Sequence, residues 1–206
     1  DCKPVATPIA TSQAAAGART GSITGELVRI FRSLVGGFNH LVNCTRPDIA
    51  LVVRQLQSGI AAPTEEHWLQ MKRLVRYLAG SAELGLVYRP CEEASLKCAL
   101  ATTAYSDASF DPPSSYSGGL VFLSSARHLV GWSCRKQRIV SQSTMESKFI
   151  ALGGVVTDVI CLRMMLCEGL CGELPEGDLP LEGVLEVPEQ LLPPTEVMVD
   201  NEAARL

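Results

Sequence analysis

Two aspartates are the first candidates for chemistry in this sequence. Asp107 follows Ala104-Tyr105-Ser106 and Asp200 follows Val197-Met198-Val199. Each comes after residues of strand type, so each carboxylate would be held rigidly at the edge or centre of a sheet. Adjacent strands would bring the two together, and a close pair of carboxylates ordinarily needs a divalent cation such as Mg²⁺ between them. Spacing alone leaves the plainer reading open, because an Asp at a strand end also serves as a turn or cap residue. Two basic clusters could touch phosphate: Lys72, Arg73 and Arg76 on one helical pattern, and Arg135, Lys136 and Arg138 further on. The Lys72, Arg73 and Arg76 cluster reads equally as a solvated face.

The elements that must position these groups follow from periodicity. Residues 1–25, rich in Ala, Thr, Ser and Gly, read as a linker or extended lead-in. From Glu26 to about Leu41 the apolar residues Leu27, Ile30, Phe31, Leu34, Val35 and Phe38 mark one helical face. Arg46-Pro47-Asp48 opens a second helix through Ile49, Val52, Val53 and Leu56, stopping near Gly59. Thr64 is a good N-cap for a third helix that ends near Gly80, with Trp68, Met71, Leu74, Val75 and Leu78 as its buried stripe. Extended segments follow at 85–88, 100–109, 119–123 and 128–133, separated by turn chemistry at Pro112-Pro113 and Ser124-Ser125.

Ser143-Thr144-Met145-Glu146 has capping-box spacing and opens a long helix to about Gly169. Phe149, Leu152, Val156, Val159, Ile160, Leu162 and Leu166 form its expected inner side. Residues 171–194 hold five prolines among many acids and read as an acidic loop. Val197-Met198-Val199-Asp200 is a last short strand. Antiparallel strands, a long helix and a further strand make an α/β layout over 98–206, preceded by a small helical part over 26–90.

Composition narrows the class. At 206 residues and 47% hydrophobic content the chain has enough apolar material for one full domain and a partial one, too much for disorder. The net charge of −4 conceals an asymmetry: residues 27–90 carry eight Lys/Arg against four acids, whereas 168–202 carry ten acids and no Lys or Arg. No apolar run reaches roughly 18 uninterrupted residues, and the start Asp1-Cys2-Lys3-Pro4 has no signal-peptide profile, so an internal fragment with no membrane partner and no secretion is expected. The eight cysteines include no CxxC pair, which argues against metal knuckles and for buried free thiols in a reducing, intracellular setting, cytoplasmic or nuclear.

Longer strings carry a resemblance. Ser33-Leu34-Val35-Gly36-Gly37 through Asn43-Cys44-Thr45-Arg46-Pro47-Asp48-Ile49-Ala50 resembles the segment after the polymerase palm in copia-type LTR retrotransposon Pol polyproteins. Pro63-Thr64-Glu65-Glu66-His67-Trp68 through Leu74-Val75-Arg76-Tyr77-Leu78, followed by Gly85-Leu86-Val87-Tyr88, does the same. Tyr105-Ser106-Asp107-Ala108, Ser117-Gly118-Gly119, Trp132-Ser133-Cys134-Arg135-Lys136-Gln137, Ser143-Thr144-Met145-Glu146, Phe149-Ile150-Ala151-Leu152 and Asp200-Asn201 are similar, in order, to that family's RNase H domain. The aspartate pair that family palms carry before this region is not in the sequence.

The resemblance implies an RNase H-like mixed sheet after the helical tail of a reverse transcriptase, its thumb or connection. It implies hydrolysis of the RNA strand of an RNA–DNA hybrid by two Mg²⁺ or Mn²⁺ ions held between carboxylates, with the rest of the Pol polyprotein as partner. Asp107 and Asp200 match the family's two strand acids, as catalytic and metal-binding residues. The helix acid does not match. The family reads Ser-Thr-x-Glu-Ala/Ser-Glu-Tyr/Phe-Ile-Ala-Leu, and here Lys148 stands at the second Glu. Glu146 is two residues away, about 200° around a helix, and serves better as the capping acid. The family's last acid would lie beyond Leu206. The expectation is an endonuclease-type domain impaired in this copy, with Lys148 ion-paired to Asp107 and Asp200. The alternatives are a non-catalytic module binding nucleic acid through Lys72, Arg73, Arg76, Arg135, Lys136 and Arg138, or a decayed element.

Overall fold

The computed structural model describes residues 3–9, 21–89, 100–110, 115–124, 127–171 and 192–200. The chain forms two compact units, Asp1–Leu86 and Val87–Leu206. Most of the acidic stretch, residues 172–191, lies outside the described residues, as does the Pro112-Pro113 turn.

The first unit is helical. Helix α1 covers Glu26–Cys44, a 3₁₀ turn Pro47–Ile49 leads into α2, Ala50–Ser58, and α3 covers Glu65–Gly80. Their shared core consists of Phe31, Val35 and Phe38 from α1, Ile49, Val52, Val53 and Leu56 around α2, and Met71, Leu74 and Tyr77 from α3. Only half of the α1 stripe read from sequence is inside, because Leu27, Ile30 and Leu34 are exposed. Val75 of α3 is exposed as well, and Tyr77 takes the inner position. In both helices the apolar arc is wider than the partner surface that meets it.

Thr64 caps α3 as expected. Its Oγ1 accepts from the His67 backbone N–H at 3.4 Å while its own backbone N–H donates to His67 Nδ1 at 3.2 Å, so a histidine plays the reciprocal part usually given to Glu. The lead-in is not loose where it is described. Val5, Ile9 and Ile23 pack against the helical core, and the Glu65 N–H donates to Gly21 O at 2.7 Å.

A polar network is enclosed in this unit. Arg46, 6% exposed, holds Asp48 through two 2.9 Å bonds and donates to Ser81 O and Oγ at 2.9 and 2.8 Å. The Tyr77 hydroxyl donates to the same carboxylate at 2.7 Å, and the guanidinium lies over the Tyr77 ring. Burial pushes the Asp48 carboxyl upward, but the bonds from Arg46 and Tyr77 outweigh it and hold Asp48 below the ordinary carboxylate range.

The second unit is a four-stranded mixed sheet in the order β3-β2-β1-β4 with one long helix on it. Strands β1, Thr102–Ser109, β2, Tyr116–Leu123, and β3, His128–Lys136, are antiparallel neighbours, and β4, Glu196–Val199, runs parallel to β1. This α/β layout, compatible with an RNase H-like fold, is the fold class expected from sequence. The expected strand at 85–88 is absent. That segment is held instead by the Tyr88 hydroxyl on Leu129 O, 2.8 Å, and by the Arg89 N–H on His128 Nε2, 3.1 Å.

The long helix α4 covers Thr144–Cys171. Alternation along β1 buries Thr102, Ala104, Ser106 and Ala108, and the core between sheet and helix is Ala104, Val121, Val155 and Val159. The inner face of α4 is therefore Ser147, Ala151, Val155 and Val159; of the stripe read from periodicity Val159 lies in this core and Leu162 packs against it, whereas Phe149 and Val156 are exposed. An apolar helix with little amphipathic asymmetry does not announce its inner side. Gly119 decides it: a Cβ there would meet Val155 Cγ2 at 2.6 Å and Ser133 Oγ at 2.9 Å, so the missing side chain is the recess that Val155 fills.

By length and composition alone α4 suits a membrane span, although its apolar residues are interrupted by charged and polar ones. In the fold two of its charged residues are tied to the same unit, Asp158 to Arg135 at 2.9 Å and Arg163 to Pro193 O at 2.7 Å. The cysteine expectation is corrected too. Among the described residues Cys44, Cys134, Cys161 and Cys167 form no disulfide, but Cys44 and Cys161 are exposed and the other two are half-buried rather than buried.

Two outcomes test these contacts. Gly119→Ala should destabilise the sheet unit by about 1–3 kcal/mol through overpacking. Adding Val155→Ala should then cost less than the sum of the two single changes, measured by chemical denaturation as a double-mutant cycle. Asp48→Asn should lower the stability of the helical unit by roughly 1–3 kcal/mol at neutral pH, because Arg46 keeps buried donors without their acceptor. Asp48 is depressed, so its contribution is present above the unfolded carboxyl pKa and is lost as pH falls through the lower folded value. The gap between wild type and Asp48→Asn in urea midpoints should close in strong acid.

Candidate active site

Asp107 and Asp200 are brought side by side by strand pairing. The parallel register runs from Thr103 against Glu196 to Ser106 against Val199, and the next residues along are Asp107 and Asp200. Both carboxylates are open to solvent, with side chains 72% and 63% exposed.

Lys148 reaches both from α4. It lies seven residues before Val155, close to two full helical turns, so the residue that seats the helix on Gly119 also aims Lys148 at the sheet. Its Nζ is 3.6 Å from Asp107 Oδ1 and forms an ion pair with Asp200 Oδ1. The side chain is only 11% exposed. The Asp200 hydrogen bond, opposed by burial and assisted by the charge of Asp107, raises the ammonium above the ordinary lysine value. The pairing inferred from sequence is present in the fold.

A buried polar cluster fixes the start of α4. Gln137 Nε2 donates to Ser147 O and Ser117 Oγ, both at 2.9 Å, and Ser141 and Ser147 share a hydroxyl hydrogen bond. Ser147 is wholly buried and precedes Lys148. Gln137, Ser141 and Ser147 are the positioning residues that the sequence did not single out. Their only signal was a run of Ser, Thr and Gln before the helix, which read as capping chemistry alone.

Glu146 is the capping acid and stands apart from the two aspartates. Its own N–H donates to Ser143 Oγ at 3.1 Å. Its carboxylate takes the Gln142 N–H at 2.6 Å, one residue further upstream than a capping box requires. Among the described residues no three His, Cys, Asp or Glu side chains are grouped to hold a metal ion. Two carboxylates and one ammonium leave a single net negative charge, and the ammonium occupies the space between the oxygens. Mg²⁺ or Mn²⁺, which require converging oxygen ligands, do not fit this set as it stands.

The six basic residues are placed differently from one another. In the helical unit Arg73 donates to Thr7 O and Oγ1 at 3.2 and 2.9 Å, and Arg76 donates to Lys3 O at 2.6 Å. Those two cations hold the lead-in, while Lys72 lies over the Trp68 ring at 5.5 Å. In the sheet unit Arg135 pairs with Asp158, and Lys136 and Arg138 are exposed.

No protein-family model matches the chain, and no solved structure does. Curated proteins do match. The chain is 32% identical over 142 residues to the retrovirus-related Pol polyproteins from transposons RE2 and RE1 of Arabidopsis thaliana, covering 67% of this chain and 9% of each polyprotein. It is 30% identical over 142 residues to the polyprotein from transposon TNT 1-94 of Nicotiana tabacum. This chain belongs to the copia-type retrotransposon Pol family. It spans about a tenth of those polyproteins. Secreted RxLR effector protein 161 of Plasmopara viticola is also 32% identical, over 138 residues that make up 92% of that protein, so a stretch of this extent also occurs as nearly the whole of a shorter protein.

The Pol-family chain should respond to loss of the ammonium in a specific way. Lys148→Met leaves two carboxylates abreast without a counter-charge and should loosen β4, seen as faster amide exchange at residues 196–199. With both acids exposed, the stability loss should be about 0.5–1 kcal/mol and should shrink at high salt. The raised Lys148 pKa places its contribution below the unfolded lysine value and removes it as pH rises through the folded one. Wild type and Lys148→Met should converge in strong alkali.

Proposed function

We propose that this chain is the stretch of a Pol polyprotein in which the helical end of the reverse transcriptase joins an RNase H-like domain, and that this domain does not cleave RNA–DNA hybrids. The observation that carries the reading is Lys148, ion-paired to Asp200 and 3.6 Å from Asp107. The sheet order, the parallel β1–β4 pair and the helix that delivers a side chain to both strand acids support the domain assignment. Replacing an acid by an ammonium changes the site by two charge units and supplies a resident cation where the resemblance calls for a metal.

A hybrid-cleavage assay with Mg²⁺ or Mn²⁺ tests the proposal. Wild type should release no more product than Asp107→Asn, and neither ion should shift its melting temperature. Lys148→Glu places three carboxylates together and should gain stabilisation by Mn²⁺. Wild-type cleavage that Asp107→Asn abolishes would overturn the assignment of an inactive site.

The exposure of Lys136 and Arg138 favours a second reading, retention of nucleic-acid binding without turnover. Such binding should appear as a hybrid-duplex gel shift that weakens steeply between low and moderate salt, with the strands uncut. Lys136→Gln with Arg138→Gln should weaken it and lower the salt slope by about two. An unchanged shift in that variant removes this reading.

A further inference from the structure

In the helical unit residues 3–9 lie on α3 and are held by its basic side chains. Arg73 Nε donates to Thr7 O at 3.2 Å and Arg73 Nη2 to Thr7 Oγ1 at 2.9 Å, while Arg76 Nε donates to Lys3 O at 2.6 Å. Val5 and Ile9 pack against the helical core. Pro4 rests on Gly80, where a Cβ would meet Pro4 Cβ at 2.7 Å. The missing side chain at the last residue of α3 is what lets the segment pass.

These bonds satisfy the donors of the two guanidiniums and leave their charge unanswered. Residues 3–9 contain no acid, and among the described residues neither Arg73 nor Arg76 takes part in an ion pair. The helical neighbours three and four residues away are Leu69, Gln70, Lys72, Tyr77, Ala79 and Gly80, again without an acid. Thr7 O and Oγ1 sit in the fork of Arg73 as two oxygens of one phosphate would, but a phosphate also brings the opposite charge. Lys72, exposed and lying over the Trp68 ring, adds a third cation one turn before Arg76. Three cations on one helix face fit a repeating anion better than a single one.

We propose that residues 3–9 are a strap closed over a site for the phosphodiester backbone of nucleic acid, formed by Lys72, Arg73 and Arg76. Strap and nucleic acid compete for the same N–H groups, so the face is shut while the strap is docked and open when it leaves. The coupling is reciprocal: loosening the strap raises the affinity for nucleic acid, and bound nucleic acid loosens the strap. The choice of nucleic acid as the polyanion rests on the Pol-derived reading above, but the site uses neither Lys136 nor Arg138.

Displacing the strap in the full chain tests this, with Lys136→Gln and Arg138→Gln as background so that binding by the sheet unit plays no part. Gly80→Ala drives Pro4 away while suiting the helix, since alanine is the better helix former. Val5→Ser with Ile9→Ser loosens the same segment by removing its apolar anchors. Either change should speed amide exchange at residues 5–9. Fluorescence anisotropy with a short DNA duplex in low salt should then show affinity raised by roughly tenfold and a salt slope steeper by about two, one for each freed arginine. Adding Arg73→Gln and Arg76→Gln should cancel the gain. Faster exchange with unchanged DNA affinity overturns the site, and a gain that survives loss of both arginines overturns its assignment to α3. Exchange at residues 5–9 that neither variant alters overturns the strap. None of these outcomes depends on Lys148.

Discussion

The seating of Val155 in the space left by Gly119 governs the sheet unit. A helix packs on a sheet at a distance set by the side chains between them, and here a glycine and Ala104 let α4 come close. Once Val155 is fixed, helical geometry leaves no freedom for the residue two turns earlier, and Lys148 is carried to the end of the sheet where β1 and β4 finish. The buried Gln137, Ser141 and Ser147 cluster holds the first turn of α4 in the same orientation.

The charge triad is thus a result of packing as much as of residue type. Two carboxylates abreast on parallel strands repel one another, and a divalent ion or a fixed cation can relieve that repulsion. This chain uses a lysine whose stem is covered and whose ammonium lies between the acids. Arg163, fifteen residues further along α4, holds the Leu192–Thr195 segment just before β4 through backbone and hydroxyl oxygens. The short edge strand is therefore secured by cations from one helix on both sides, in addition to its pairing with β1.

The helical unit is organised on a different principle. A continuous apolar core unites α1, α2 and α3, and the buried Arg46–Asp48–Tyr77–Ser81 network fixes the turn between α1 and α2 to the end of α3. Arg73 and Arg76, which looked available for phosphate, bind the lead-in backbone. Exposure of a basic side chain in a helical pattern does not show what the cation does, because neighbouring backbone carbonyls compete for it.

Local chemistry could be read directly from the residues. Thr64 and Ser143 are caps, Pro47 opens a turn and the alternation of β1 is in the sequence, whereas Asp107, Asp200 and Lys148 stand out only through the family resemblance. What the sequence could not decide was which side of an apolar helix faces inward. Leu27, Ile30 and Leu34 on α1, and Phe149 and Val156 on α4, are as apolar as the residues that are buried, and only the shape of the partner surface chooses between them. The strand expected at 85–88 had the right residue types but finds no strand partner, since pairing is a property of two segments. Residue type and the family resemblance pointed to Asp107, Asp200 and Lys148, while the tertiary structure decided that an ammonium, delivered by the Val155–Gly119 contact, pairs with both carboxylates. That decision rests on a non-local fit between helix and sheet, which the sequence around each residue does not contain.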